Sequence, residues 1–220
     1  MFENTNINII SLSNNIDNIK KQLSEYNVSY NIYNCFENEL NLKTYNLFKI
    51  SNMLDSSITC HFDLCLLFAY YNIIYNAFNN NLSHILIFED NFKLLKKEYL
   101  TEFMDHLPFD FDIIQFSILD KENLLENNFL QKESENDNYF VTTKYNFVSN
   151  NGLFLSKDGM KYFIETINKK LVHPYLPIYN SNKKILRHYI STVPIVYLEN
   201  TDEYSYNNIY SKLDKSLYNL

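Results

Sequence analysis

Two carboxylates in succession, Glu89 and Asp90, follow directly on the apolar run Ile85–Phe88, and Asn91 comes next. A short run of Ile, Leu and Phe has the composition of a buried strand. A strand that ends in acids delivers carboxylates to the carboxyl edge of its sheet, where open α/β sheets bind ligands. Adjacent carboxylates repel unless a cation or hydrogen-bond donors compensate them, so the pair points to a divalent metal site. The same residues also suit a solvated strand end or the N-cap of a following helix, and spacing alone leaves both readings open.

Other residues have chemistry to offer. Asp112 opens the run FDIIQFS and faces either a ligand or an ordinary turn. Asn150, Asn151 and Gly152 precede a strand-like run, where a glycine permits close backbone approach, or simply a hairpin turn. His61 and Asp63 stand near the start of a long apolar stretch, in positions that favour a core or cap role. His84 precedes the acidic strand at its far end and reads as structural. Arg187 is the chain's single arginine. It hints at planar phosphate recognition, against a surface helix position as the alternative.

Composition narrows the function classes. The 220 residues are 46% hydrophobic, enough for one sizeable core. Glycine occurs only twice, at Gly152 and Gly159, which excludes a Gly-rich phosphate loop. Asparagine, isoleucine, lysine and tyrosine are heavily used, as in an AT-rich genome, so runs such as Asn79–Asn81 carry no functional weight. Net charge is −7 and the 19 basic residues are dispersed, which argues against a nucleic-acid groove. Cys35, Cys60 and Cys65 are odd in number and lack C-x-x-C spacing, and read as reduced core thiols of a cytoplasmic protein. The N-terminal residues lack a basic region and a long apolar run, so neither secretion nor a transmembrane segment is expected.

The elements that must position these residues follow in order. Ile7–Ser13 reads as a first buried strand, and Ile16, Ile19 and Leu23 mark one helix face. Val28–Phe36 reads as a second strand, completing a βαβ unit that predicts a parallel sheet. Residues 37–57 show no period. The run 58–78 is too long for a strand and has no Pro or Gly, so a buried helix is expected. The acidic strand follows, then a helix over 92–106, closed by Pro108. A strand over 111–117 leads into an acidic, Asn-rich excursion or lid over 118–138. Strands over 139–148 and 152–155, an amphipathic helix from Ser156, a Pro-containing loop over 171–184 and a strand over 194–198 complete the chain. The whole predicts an α/β protein with a Rossmann-type, mostly parallel sheet flanked by helices. A single domain spans residues 1–200, with 201–220 a C-terminal tail.

In this order, ISLS, ILIFEDN, FDIIQFS and NNGLFLSKDGMKYFIETI resemble the family 25 glycosyltransferases, which include lipooligosaccharide biosynthesis enzymes and procollagen galactosyltransferases. The family pattern has an apolar strand closing in Glu-Asp-Asp, then W-D-I/V-I-x-L-G, then A-Y-x-V-S-x-x-G-A-x-x-L. Its counterparts here are Glu89–Asn91, Asp112, and Ser156 with Gly159. The resemblance implies a GT-A fold binding a nucleotide sugar such as a UDP-hexose, with Mn²⁺ or Mg²⁺ on the diphosphate. It implies transfer of a hexose to a glycan or protein acceptor. Asp90 would be the catalytic residue and main metal ligand, with Asn91 the second. Glu89, Asp112, Asn151 and Gly152 would complete the donor site.

The chain departs from the pattern at three points. Asn91 replaces the second Asp, Lys20 and Lys21 stand near the place of an early arginine, and Pro177-Ile178-Tyr179 replaces P-x-D. Lysine lacks arginine's bidentate fork, and tyrosine is a poor base near neutrality. These departures motivate a second hypothesis: a catalytically inactive relative that binds a glycan, nucleotide sugar or protein partner.

Overall fold

The computed structural model describes residues 7–11, 16–26, 29–35, 42–90, 92–94, 97–116, 140–142, 152–180, 186–191 and 196–198. Strand β1 (Ile7–Ser11), helix α1 (Ile16–Tyr26) and strand β2 (Tyr30–Asn34) form the expected βαβ unit, with β1 and β2 parallel. Helix α2 (Leu42–Ile50) and the long helix α3 (His61–Asn79) lead to β3 (His84–Glu89). Then come β4 (Phe92–Leu94), α4 (Lys97–Asp105), β5 (Ile113–Phe116) and β6 (Phe140–Thr142). The chain continues through β7 (Leu153–Ser156), α5 (Lys157–Lys169), α6 (Tyr175–Tyr179), β8 (His188–Ser191) and β9 (Val196–Leu198).

Seven strands make one mixed sheet in the order β2-β1-β3-β7-β5-β8-β6, and β4 pairs with β9 separately. The pairs β2·β1, β1·β3 and β5·β8 are parallel, whereas β7 runs against both β3 and β5, and β6 runs against β8. The protein is therefore α/β as expected, but its sheet is mixed and not mostly parallel: β7 runs against both its neighbours and β6 against β8, so three of the six pairings are antiparallel.

Helices cover both faces. On one face α3 and α5 bring Leu64, Leu67, Ile74, Met160 and Phe163 onto Ile85, Ile87, Leu153 and Leu155. On the other, α1 and α4 bring Ile19, Leu23, Leu100 and Phe103 onto Ile7, Ile9, Leu86, Phe88 and Phe116. The alternation of β3 decides this division: Ile85, Ile87 and Glu89 point one way, Leu86 and Phe88 the other. Helix α5 forms because Met160, Phe163, Ile164 and Ile167 repeat at helical spacing and Ser156 caps its first turn, accepting from the Gly159 N–H at 3.3 Å. Asn81, in the left-handed conformation at φ 59°, turns the chain from α3 toward β3.

Four expectations about individual elements also need correction. Residues 42–50 are helical although the sequence shows no period there, because Leu47 and Ile50 face solvent and leave no buried stripe to read. Phe92–Leu94 is a strand, not the first turn of α4, because it pairs antiparallel with Val196–Leu198. The Pro-containing loop holds a short helix, α6: Pro174 is its N-cap and Pro177 lies in its first turn, where N–H groups lack intrahelical partners anyway. Arg187 sits at the amino end of strand β8, not on a surface helix. The expected excursion over 118–138 and the tail over 201–220 lie outside the described residues.

Candidate functional site

The chain leaves β1 for β2 on one side and reaches β3 on the other, so strand order reverses at β1. The carboxyl ends of β1 and β3 thus flank a topological switch point, the ligand crevice of open α/β sheets. Asp90 sits there. Its N–H donates to the Ile10 carbonyl at 3.0 Å, continuing the ladder one residue past β3. Its carboxylate accepts from the Ser11 hydroxyl at 3.0 Å, and the side chain is half-buried.

Glu89 turns to the opposite face, as consecutive strand residues must. It is 4% exposed beneath the α3–α6 layer. Its Oε1 accepts from the Tyr70 hydroxyl at 2.9 Å and from the Tyr175 hydroxyl. Burial pushes its pKa up to about 7, against the two phenolic hydrogen bonds, which pull it down; the Asp90 charge adds to the rise. Both phenols are in turn held well above their ordinary value, chiefly by burial. Tyr175 meets Tyr70 edge-on, ring centres 6.2 Å apart. Cys35, at the end of β2, donates its N–H to the Ser11 carbonyl, and burial raises its thiol to about 12.

The acids therefore do not converge. The repulsion that first suggested a metal is lessened by geometry: Glu89 goes into the helix layer, and Asp90 turns to the Ser11 hydroxyl at the ends of β1 and β3. Strand alternation could have shown this from sequence. Among the described residues no group of three or more His, Cys, Asp or Glu side chains is placed to hold a metal ion. Asn91 and Asn151 lie outside the described residues.

Asp112 stands at the other edge. Register through β7 puts it level with His84, six strand residues from Asp90, or roughly 20 Å. It is buried and accepts from Arg187 three times: from the backbone N–H at 2.9 Å, Nε at 3.1 Å and the terminal guanidinium nitrogen at 3.0 Å. The expected grouping of Asp112 with Glu89 and Asp90 is not found, because Asp112 precedes its strand whereas the other two end theirs.

Gly152 does lie at the carboxyl edge, one residue before β7 and beside Phe88. Its φ is +145°, and a Cβ there would meet the Phe88 ring at 2.6 Å and the Phe116 ring at 2.9 Å. The close approach it permits is to two phenyl rings. Asp63 caps α3, accepting from Thr59 N–H and Oγ and from Cys60 N–H at 2.6–3.2 Å. His84 leans on Phe154, consistent with a structural role. Cys60 is exposed rather than a core thiol; Cys35 and Cys65 are buried.

Sequence reading missed Ser11, Tyr70 and Tyr175. A polar residue closing each of two adjacent buried strands was a signal for Ser11. The tyrosines gave none, since they read as core aromatics among many.

No protein-family model matches the chain, and no curated protein sequence matches it. One solved structure, described as "Crystal Structure of A197 from STIV", is similar at 10% identity and a TM-score of 0.40, covering 89% of this chain and 94% of that one. No helix of the described residues is long and apolar enough to cross a membrane.

Proposed function

We propose that the crevice between β1 and β3 is the donor site of a GT-A-like glycosyltransferase, which moves a hexose from a nucleotide sugar such as a UDP-hexose to a hydroxyl of a glycan or protein. The observation that carries this reading is Asp90. It is the carboxylate at the switch point, half-buried and oriented by Ser11. Mg²⁺ is typically held by one or two carboxylates together with substrate phosphates, so a single aspartate facing the crevice fits Mg²⁺ or Mn²⁺. Asp90 would hold the ion, with Asn91 next to it in sequence. A cation held there would supply positive charge to offset that on a departing diphosphate. Asp112 has no part in this reading.

Calorimetry with UDP-hexoses tests it. Binding is expected with Mn²⁺ present, to be lost with the ion or in Asp90→Ala. The absence of both binding and donor hydrolysis with every UDP-sugar tried would overturn the reading.

A second reading, a binding protein without transfer, is favoured by the state of Glu89. Its carboxylate is engaged by two phenols, which leaves the crevice one acid fewer than the pair the strand end suggested. Donor binding without nucleotide release in the presence of candidate acceptors would select it.

A further inference from the structure

The chain leaves the main sheet directly behind Asp90. Strand β4 begins two residues later, pairs with none of the seven strands, and takes β9 as its antiparallel partner. Two observations place this small sheet at the rim of the crevice. Ser11 and Asp90 meet on the face of the main sheet that α1 covers, because Ser11 alternates onto the side of Ile7 and Ile9, which pack against Ile19 and Leu23. Strand β4 lies against α1 as well. The register sets Val196 opposite Leu94 and Leu198 opposite Phe92, so β9 runs back toward Asp90 and ends at the level where β4 begins. It is held differently from the strands beside it. Its ladder is three residue pairs long and β4 is its one strand partner among the described residues, whereas β1 and β3 are each paired on both sides. Two short strands alone are marginally stable, and such weakly held elements open at lower free energy than a core.

We propose that β9 is a strap: it unzips from β4 to admit a ligand to the crevice and pairs again once the ligand is bound, slowing its release. The proposal rests on the donor-site reading of that crevice. Closing the rim beside Asp90 keeps water from a bound ion and its phosphates, where each electrostatic contact then gains strength. The moving parts of binding sites are drawn from the least stable elements of a fold, and β9 is one of these at the right place. The contrasting role is a fixed brace for β4, which would open no more readily than β3.

Hydrogen exchange and stopped-flow release of UDP in the presence of Mn²⁺ test it, on the full chain and two full-length variants. Tyr197→Pro removes a strand N–H and opens the pairing. The double substitution Lys93→Cys, Tyr197→Cys joins directly opposed positions once oxidised and locks it. In the free protein the amides of β4 and β9 are expected to exchange about tenfold or more faster than those of β3, and to be slowed as much by UDP with Mn²⁺. Release is expected to quicken about tenfold or more in Tyr197→Pro and to slow as much in the oxidised pair, returning on reduction. If Tyr197→Pro fails to fold, the oxidised and reduced forms of the pair carry the comparison. Amides of β9 as protected as those of β3, or release indifferent to both variants, overturns the strap alone. No UDP binding by any of the three proteins overturns the donor-site reading with it.

Discussion

Glu89 and Asp112 are both buried carboxylates, one at each edge of the same sheet, and they are satisfied in opposite ways. Asp112 faces a guanidinium fork and a backbone N–H, a charge-assisted arrangement that ties β5 to β8. Glu89 faces two neutral phenols, so burial dominates and its pKa rises to about 7. At the amino edge the carboxyl meets a guanidinium fork; at the carboxyl edge burial favours the protonated acid. The chain's two glycines divide the same way. Gly159 lets α5 close on the Asp112 carbonyl, where a Cβ would come within 2.2 Å, and Gly152 lets β7 close on Phe88. Function is therefore better sought at the carboxyl edge, where Asp90 adds a carboxylate that faces the crevice.

The largest effect expected is from Gly152→Ala, which adds positive-φ strain to a clash with two buried rings. A loss of about 2–4 kcal/mol is expected, read as a drop in Tm. A wild-type Tm would mean that β7 does not press on Phe88 and that the carboxyl edge is open there.

Glu89 gives the next effect and its sign is specific. The folded pKa, about 7, lies above the ordinary 4.5, so the folded state holds the proton more tightly. Its contribution is complete below pH 4.5 and lost as pH rises through 7, on the order of 3 kcal/mol in all. Denaturant titrations across that window should show stability falling with pH. Glu89→Gln, neutral at every pH, should flatten the slope and be the more stable protein above pH 7. Stability rising across the same window would place a cation near Glu89 and erase its contrast with Asp112.

At the other edge Arg187→Lys keeps a positive charge but loses the fork, so Asp112 would keep its backbone bond and lose paired side-chain contacts. A Tm drop smaller than that of Gly152→Ala is expected. Unchanged nucleotide binding in this variant would agree with the separation of Asp112 from the crevice.

Much of this frame was legible in sequence. The acidic strand, α3, the βαβ unit and α5 all follow from apolar runs or helical spacing that bury residues. What burial does not write into the pattern was lost. Helix α2 exposes Leu47 and Ile50, and β4 owes its state to a partner about a hundred residues away. The pairing of Asp112 with Arg187 spans 75 residues, which local spacing cannot carry. The divergence of Glu89 from Asp90 was legible, since alternation alone puts neighbours on opposite faces.

That divergence frames the smallest stability effect. Asp90→Ala removes the hydrogen bond from Ser11 at a half-buried position, so a cost on the order of 1 kcal/mol is expected. Glu89→Ala should cost several times more, because it strands two buried phenols and leaves a cavity. Two adjacent acids with such unequal weight in the fold would have been sorted into one that holds the strand end and one that the fold can spare. If both substitutions proved equally costly, Asp90 would be a structural residue like its neighbour, and the crevice would lose the side chain on which its donor-site reading rests.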